Sequence, residues 1–246
     1  MSKRNNLIFL LPVFFAGIFF VPFITSCGKG AAASNVGLNT QLQILNLSPD
    51  VQPVNLYINY INQNTTNTGT TTYAYPYASG YFYLSSIDTP IQIRSASITT
   101  VNLLSLDNVL LSNHKYSLFI TGIYANSAVT SIFTTDDTAS TPPTGFGKMR
   151  FVNASVISPN ISVTVNGTAA SAFTNIAYKQ ISSYVLLPAG NYIFQLSPAT
   201  LPGTIISTPS LQTTTVQDGR LYTLYCYGEY GHTDSSAFDA NVLINR

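Results

Sequence analysis

The stretch Lys115-Tyr116-Ser117-Leu118-Phe119-Ile120-Thr121-Gly122-Ile123-Tyr124 has a counterpart later in the chain, Leu221-Tyr222-Thr223-Leu224-Tyr225-Cys226-Tyr227-Gly228-Glu229-Tyr230. Aromatic, aliphatic and glycine positions coincide at an offset of 106, Tyr116 falling on Tyr222. Leu42-Gln43-Ile44-Leu45-Asn46-Leu47-Ser48 is repeated in the same way by Met149-Arg150-Phe151-Val152-Asn153-Ala154-Ser155, with Asn46 falling on Asn153 at an offset of 107. Two separated matches at nearly one offset indicate a duplicated unit. A period near 100 residues is that of a whole domain and too long for a solenoid repeat.

Working outward, the chain shows short runs of Tyr, Ile, Val, Leu and Thr divided by Pro, Gly, Asn and Ser clusters, at intervals of about 10 residues, which is the spacing of a β-sandwich. In the second unit, strands are expected near 147–154, 160–166, 178–186, 190–196, 204–215, 220–228 and 237–245. Asn166-Gly167 and Ala189-Gly190-Asn191 are read as tight hairpins, since such residues supply positive φ angles. The expected fold is all-β, two tandem Ig-like antiparallel β-sandwich domains, over residues 41–136 and 147–246. The linker, 137–146, is marked by Pro142 and Pro143. The adjacent acids Asp136 and Asp137 at its start are expected to be solvated.

Hydrophobic residues make up 46% of the chain, enough for a packed core, so disorder is excluded. Charged residues are only 8% and the formal net charge is +1. Such a surface has no basic field, which argues against nucleic acid as a partner.

Lys3 and Arg4 precede an apolar run from Leu7 to Phe23, a length compatible with a signal peptide or a short spanning helix. Ile24-Thr25-Ser26-Cys27 resembles the bacterial lipobox. That resemblance implies a lipoprotein signal peptide over 1–26, lipidation of Cys27, and a flexible small-residue tether over 27–40. The implied partner is a lipid bilayer, reached through several acyl chains at ~0.8 kcal/mol per buried methylene. Gly28 stands where Asp would resemble an inner-membrane retention signal, so the resemblance implies the outer membrane, on either its periplasmic or its outward face. With Cys27 acylated, Cys226 is the one remaining thiol and no internal disulfide can form.

Asn46-Leu47-Ser48-Pro49-Asp50-Val51-Gln52-Pro53-Val54 resembles the opening of domain-of-unknown-function family 4397, and Leu187-Pro188-Ala189-Gly190-Asn191-Tyr192 resembles that family's Leu-Pro-Ala-Gly hairpin. The family carries His where Asn46 and Asn153 stand. The second unit has Ser155-Val156-Ile157-Ser158-Pro159 in place of Ser-Pro-Asp, and the first lacks the Leu-Pro-Ala-Gly element. The resemblance implies a fold and an envelope setting, with no assigned catalytic residues.

The inventory for catalysis is thin. His114 and His232 are the two histidines, placed before and after the long strand of their units, and Glu229 is the one glutamate, with Asp234 and Asp239 following. Asp50 and Asp218 fall in turns, where Asp caps backbone groups locally. No active site, metal site or cofactor is expected. Strand alternation puts Tyr222, Leu224 and Cys226 on one face, opposite Thr223, Tyr225 and Tyr227, and Cys226 takes the place of Ile120, which reads as a packed core thiol. Tyr73, Tyr75 and Tyr77 also alternate. Tyr225, Tyr227, Tyr73, Tyr75 and Tyr77 are therefore candidate binding residues, since a tyrosine offers both ring area and a hydroxyl. The competing reading is that these rings pack on each other or at the domain junction. Asp137-Thr138-Ala139 resembles a short bacterial O-glycosylation motif. The expected function is a non-catalytic, lipid-anchored envelope protein acting as spacer or protein-binding module. The alternative is a carbohydrate-binding accessory lipoprotein of a glycan uptake system.

Overall fold

The computed structural model describes residues 39–64, 72–137, 139–167 and 171–246. The signal segment, Cys27, most of the tether and Thr138 lie outside the described residues. The first unit contains β1 (Gln41–Asn46), β2 (Val54–Ile58), β3 (Ile61–Asn62), β4 (Phe82–Tyr83), β5 (Ile91–Ser95), β6 (Asn102–Leu106), β7 (Lys115–Thr121) and β8 (Thr130–Thr135). They form two sheets, ordered β4-β1-β7-β8 and β3-β2-β5-β6. Alternation turns Leu42, Ile44, Tyr116, Leu118 and Ile120 of the first sheet towards Leu56, Ile58, Ile91 and Ile93 of the second, forming one buried core.

The second unit contains β9 (Phe146–Asn153), β10 (Ile161–Val165), β11 (Ser171–Ile176), β12 (Val185–Pro188), β13 (Gly190–Tyr192), β14 (Phe194–Pro198), β15 (Thr214–Val216), β16 (Leu221–Tyr227) and β17 (Asp239–Ile244). Its sheets run β12-β9-β16-β17 and β11-β10-β14, with β13-β15 as a separate ribbon. Met149, Phe151, Tyr222, Leu224 and Cys226 pack on Ile161, Val163, Phe194 and Leu196. The fold is thus all-β, a pair of sandwiches, and no helix occurs among the described residues. None of those residues belongs to a helix long and apolar enough to cross a membrane.

At the centre of each unit the first strand runs parallel to the long strand. Leu42 pairs with Tyr116 across β1 and β7, and Met149 with Tyr222 across β9 and β16, so the duplicate preserves the register. The remaining pairings between these named strands are antiparallel. These central strands are buried on both faces, which is why their sequences read as nearly continuous apolar runs.

A repeated clamp ties the parallel pair together at its end. Asn46 Oδ1 accepts from Ser48 N, and Ser48 Oγ donates to the Gly122 carbonyl at 2.6 Å. In the second unit Asn153 Oδ1 accepts from Ser155 N, and Ser155 Oγ donates to the Gly228 carbonyl at 2.8 Å. Asn46 and Asn153 each also donate to a carbonyl of a neighbouring segment, those of Tyr73 and Ile176. Asn46 and Asn153 therefore satisfy backbone groups in the interior, where an unpaired group would cost about 1–3 kcal/mol.

Several local expectations change. Ala189-Gly190-Asn191 is not a hairpin: β12 pairs with β9 while β13 pairs with β15, so the chain passes from one sheet to another there. Asn166 and Gly167 do adopt positive φ, at 52° and 67°. The expected strand at 204–215 is strand only from Thr214, since Pro209 interrupts the run. In place of a strand at 178–186 there is a turn at Tyr178–Lys179 before β12. The missed β11 carries one large core residue, Phe173, and its pairing with β10 shifts register, so its alternation is weak.

Candidate functional site

The face of the long strands turned away from each core is a seam between the two sandwiches. Leu45, Leu47, Phe119 and Ile132 of the first unit pack on Val152, Ala154, Tyr225 and Tyr227 of the second. Both units belong to one compact body. Phe119 and Tyr225 have ring centroids 5.9 Å apart, as do Tyr225 and Tyr227, and Tyr75 meets Tyr227 edge-on at 6.1 Å.

One end of the seam holds a buried ion pair. Asp136 is 0% exposed and accepts from the Arg150 guanidinium, from Thr134 Oγ1 at 2.7 Å, from Tyr81 Oη at 2.6 Å and from Ser117 Oγ. Arg150 further donates to Thr223 Oγ1 at 2.9 Å and to Thr134 Oγ1 at 3.0 Å. Thr223 donates to Asn245 Oδ1, and Asn245 donates back to Tyr81 Oη. Burial, and next the Asp136 charge, push the Tyr81 phenol above its ordinary value. Asp136 is thus not a solvated linker acid. Its backbone N–H donates to the Lys115 carbonyl and continues the β8 ladder, which turns the carboxylate inward. Its neighbour Asp137 meets His114 Nδ1 at 3.1 Å.

The loop beyond β7 and the segment before β9 are held from across the fold. Asp50 accepts from Tyr124 N and Ala125 N at 2.7 and 2.8 Å, and Asp218 accepts from Gly145 N at 2.8 Å. These aspartates cap backbone groups distant in sequence, a long-range version of the local capping expected. In the second unit Ile157 stands at the Asp50 position, and the loop after β16 spans 228–238 where its duplicate spans 122–129. The longer loop leaves an open cleft of about 460 Å³ against the 206–209 segment, lined by Ile206, Pro209, Tyr230, His232, Thr233 and Phe238.

That loop is internally fastened. Glu229 N donates to the Ser236 carbonyl at 2.7 Å and Phe238 N to the Glu229 carbonyl at 3.1 Å. Asp234 accepts from both Ser236 N and Ser236 Oγ, which hold its carboxyl below the usual carboxylate range. His232 Nδ1 lies 3.1 Å from Ser236 Oγ, and its Nε2 lies 3.6 Å from Glu229. Asp239 accepts from Ser210 N and fixes the opposite rim. No group of three or more His, Cys, Asp or Glu able to hold a metal ion occurs among the described residues.

A family model described as Domain of unknown function (DUF4397) matches the chain twice, over residues 40–164 and 147–244. The chain belongs to that family. No curated protein matches it. The two DUF4397 matches overlap across β9 and β10, the strands that open the second sandwich.

Within this DUF4397 pair the tyrosines singled out in the sequence separate. Tyr225 and Tyr227 are 3% and 6% exposed and lie in the seam, with Tyr75 packed beside them. Tyr73 is buried in the first core, stacked on Phe82. Tyr77 is 74% exposed. The 73–77 stretch is not a strand but an isolated bridge followed by a turn, so its period of two does not describe one face. Cys226 is a buried free thiol in the second core, pushed up to about 12 by burial. The sequence reading missed Arg150 and the 228–238 cleft. The signal for Arg150 was a charge in the middle of an apolar strand; that for the cleft was the gathering of Glu229, His232, Asp234 and Asp239 in a chain so poor in charge.

Proposed function

We propose that this DUF4397 chain is a non-catalytic, lipid-anchored protein of the bacterial cell envelope whose fused sandwiches serve as a spacer or protein-binding module. The observation that carries the reading is the seam. Both broad faces of each central sheet are used for internal packing, and a buried ion pair locks the junction, an arrangement suited to holding an exposed end at a fixed distance from an anchor. The lipobox-like Ile24-Thr25-Ser26-Cys27 supplies the anchor. The glycan-uptake alternative has lost the support it drew from Tyr225 and Tyr227, whose rings are occupied by the junction.

Metabolic labelling with an alkyne fatty acid tests the anchor. The wild-type chain should take up label and sediment with membranes, and Cys27→Ala should do neither. Label retained in Cys27→Ala, or absent from wild type, would overturn the reading.

A further inference from the structure

We infer that the cleft between the 228–238 loop and the 206–209 segment is a binding site for a neutral saccharide. Its volume, about 460 Å³, falls within the usual range of small-ligand clefts, about 300–1,000 Å³. Tyr230 is 38% exposed and is braced edge-on by Phe238, with ring centroids 6.3 Å apart. An exposed, braced aromatic ring presents a flat apolar surface of the kind that the C–H face of a sugar ring covers. The polar groups along the lining are neutral hydroxyls, Ser207 and Thr233, and the imidazole of His232.

The nearby carboxylates are engaged elsewhere. Asp234 is taken up by Ser236, Asp239 by Ser210, Ala240 and Tyr227, and Glu229 faces His232 Nε2 at 3.6 Å. Their work is to fasten the two rims, which leaves a cleft whose hydroxyls, imidazole and exposed ring match an uncharged polyhydroxylated ring better than a cation. Duplication adds a second argument. The corresponding strand end of the first unit also carries a tyrosine, Tyr124, but Asp50 ties that loop down, Tyr124 lines a pocket of only about 140 Å³, and the cleft of about 330 Å³ on the loop's other side has no aromatic residue of that loop in its lining. The second unit has lost the tie and gained the residues that line the cleft. This site stands independently of the anchor at Cys27.

The test is saturation-transfer NMR on the full-length chain in detergent micelles, using methyl glycosides of glucose, galactose, mannose and N-acetylglucosamine and their β-1,4- and α-1,4-linked tetrasaccharides. At least one neutral probe should bind, and Tyr230→Ala should weaken it at least tenfold with an unchanged melting temperature. His232→Ala, which leaves the aromatic ring in place, should weaken it severalfold, and Tyr124→Ala in the duplicate loop should not. No binding by any probe, or binding indifferent to both Tyr230→Ala and His232→Ala, would overturn the assignment. Neither result bears on fatty-acid labelling at Cys27, so failure here and failure of the anchor reading are distinguishable.

Discussion

A charge removed from Arg150 leaves Asp136 in the seam with hydroxyl donors but no cation. Breaking a buried pair in this way costs about 3–5 kcal/mol, because the remaining carboxylate stays desolvated. Arg150→Met is therefore expected to lower unfolding stability by that amount in urea titrations, while the same change at exposed Lys179 should cost under about 0.5 kcal/mol. A loss below about 1 kcal/mol at Arg150 would place the pair with exposed ion pairs and remove it as the lock of the junction. The charge of Arg150 stood out in the sequence, but its pairing with Asp136 did not, for a specific reason. Arg150 lies on the strand face opposite Phe151, and nothing local reveals that a second sheet covers that face. Cys226 was legible because its alternation partners Tyr222 and Leu224 share its core.

At the scale of strands, the ends of β7 and β16 depend on two glycines. Gly122 has φ +100° and a Cβ there would lie 2.0 Å from the Ala128 carbonyl oxygen; Gly228 has φ +76° and a Cβ would lie 2.3 Å from that of Ala237. Both obstacles are backbone, so Gly122→Ala and Gly228→Ala should each destabilise by more than the ~1–2 kcal/mol of a positive-φ penalty alone. Gly219→Ala, at φ +74° with open space around it, isolates that penalty. Equal losses at all three positions, measured by chemical denaturation, would show that the loops move aside freely. The strand pattern itself was readable wherever one face met a core, as in β7 and β16. It failed at 189–191 and 204–215, where the chain changes sheets or is broken by proline, because turn residues announce a bend without saying which strand comes next.

Across the whole molecule, the Asp136–Arg150 pair is buried charged, whereas Cys226 and several tyrosines are buried in the form that is neutral at pH 7. Burial raises Cys226 from 9.0 to about 12 and pushes Tyr81 and Tyr225 upward as well. Between pH 9 and 12 the unfolded chain releases the Cys226 proton while the folded chain keeps it, so stability is full below pH 9 and declines above it. The tyrosines steepen the decline above about pH 10. Urea midpoints should be level from pH 7 to 8.5 and fall by pH 10.5, and Cys226→Ala should flatten the first part of that fall. A level profile to pH 10.5 would contradict the burial of these groups. The parallel pairing at the heart of each sandwich has a different consequence, in time. Gln43 meets Ser117 across 74 residues, and Arg150 meets Thr223 across 73. Contacts so distant along the chain make closure late and slow. A chain emerging N-terminus first therefore holds β1 without its partner until nearly all of the unit has appeared, and each repeat stays threadable until its own last third arrives.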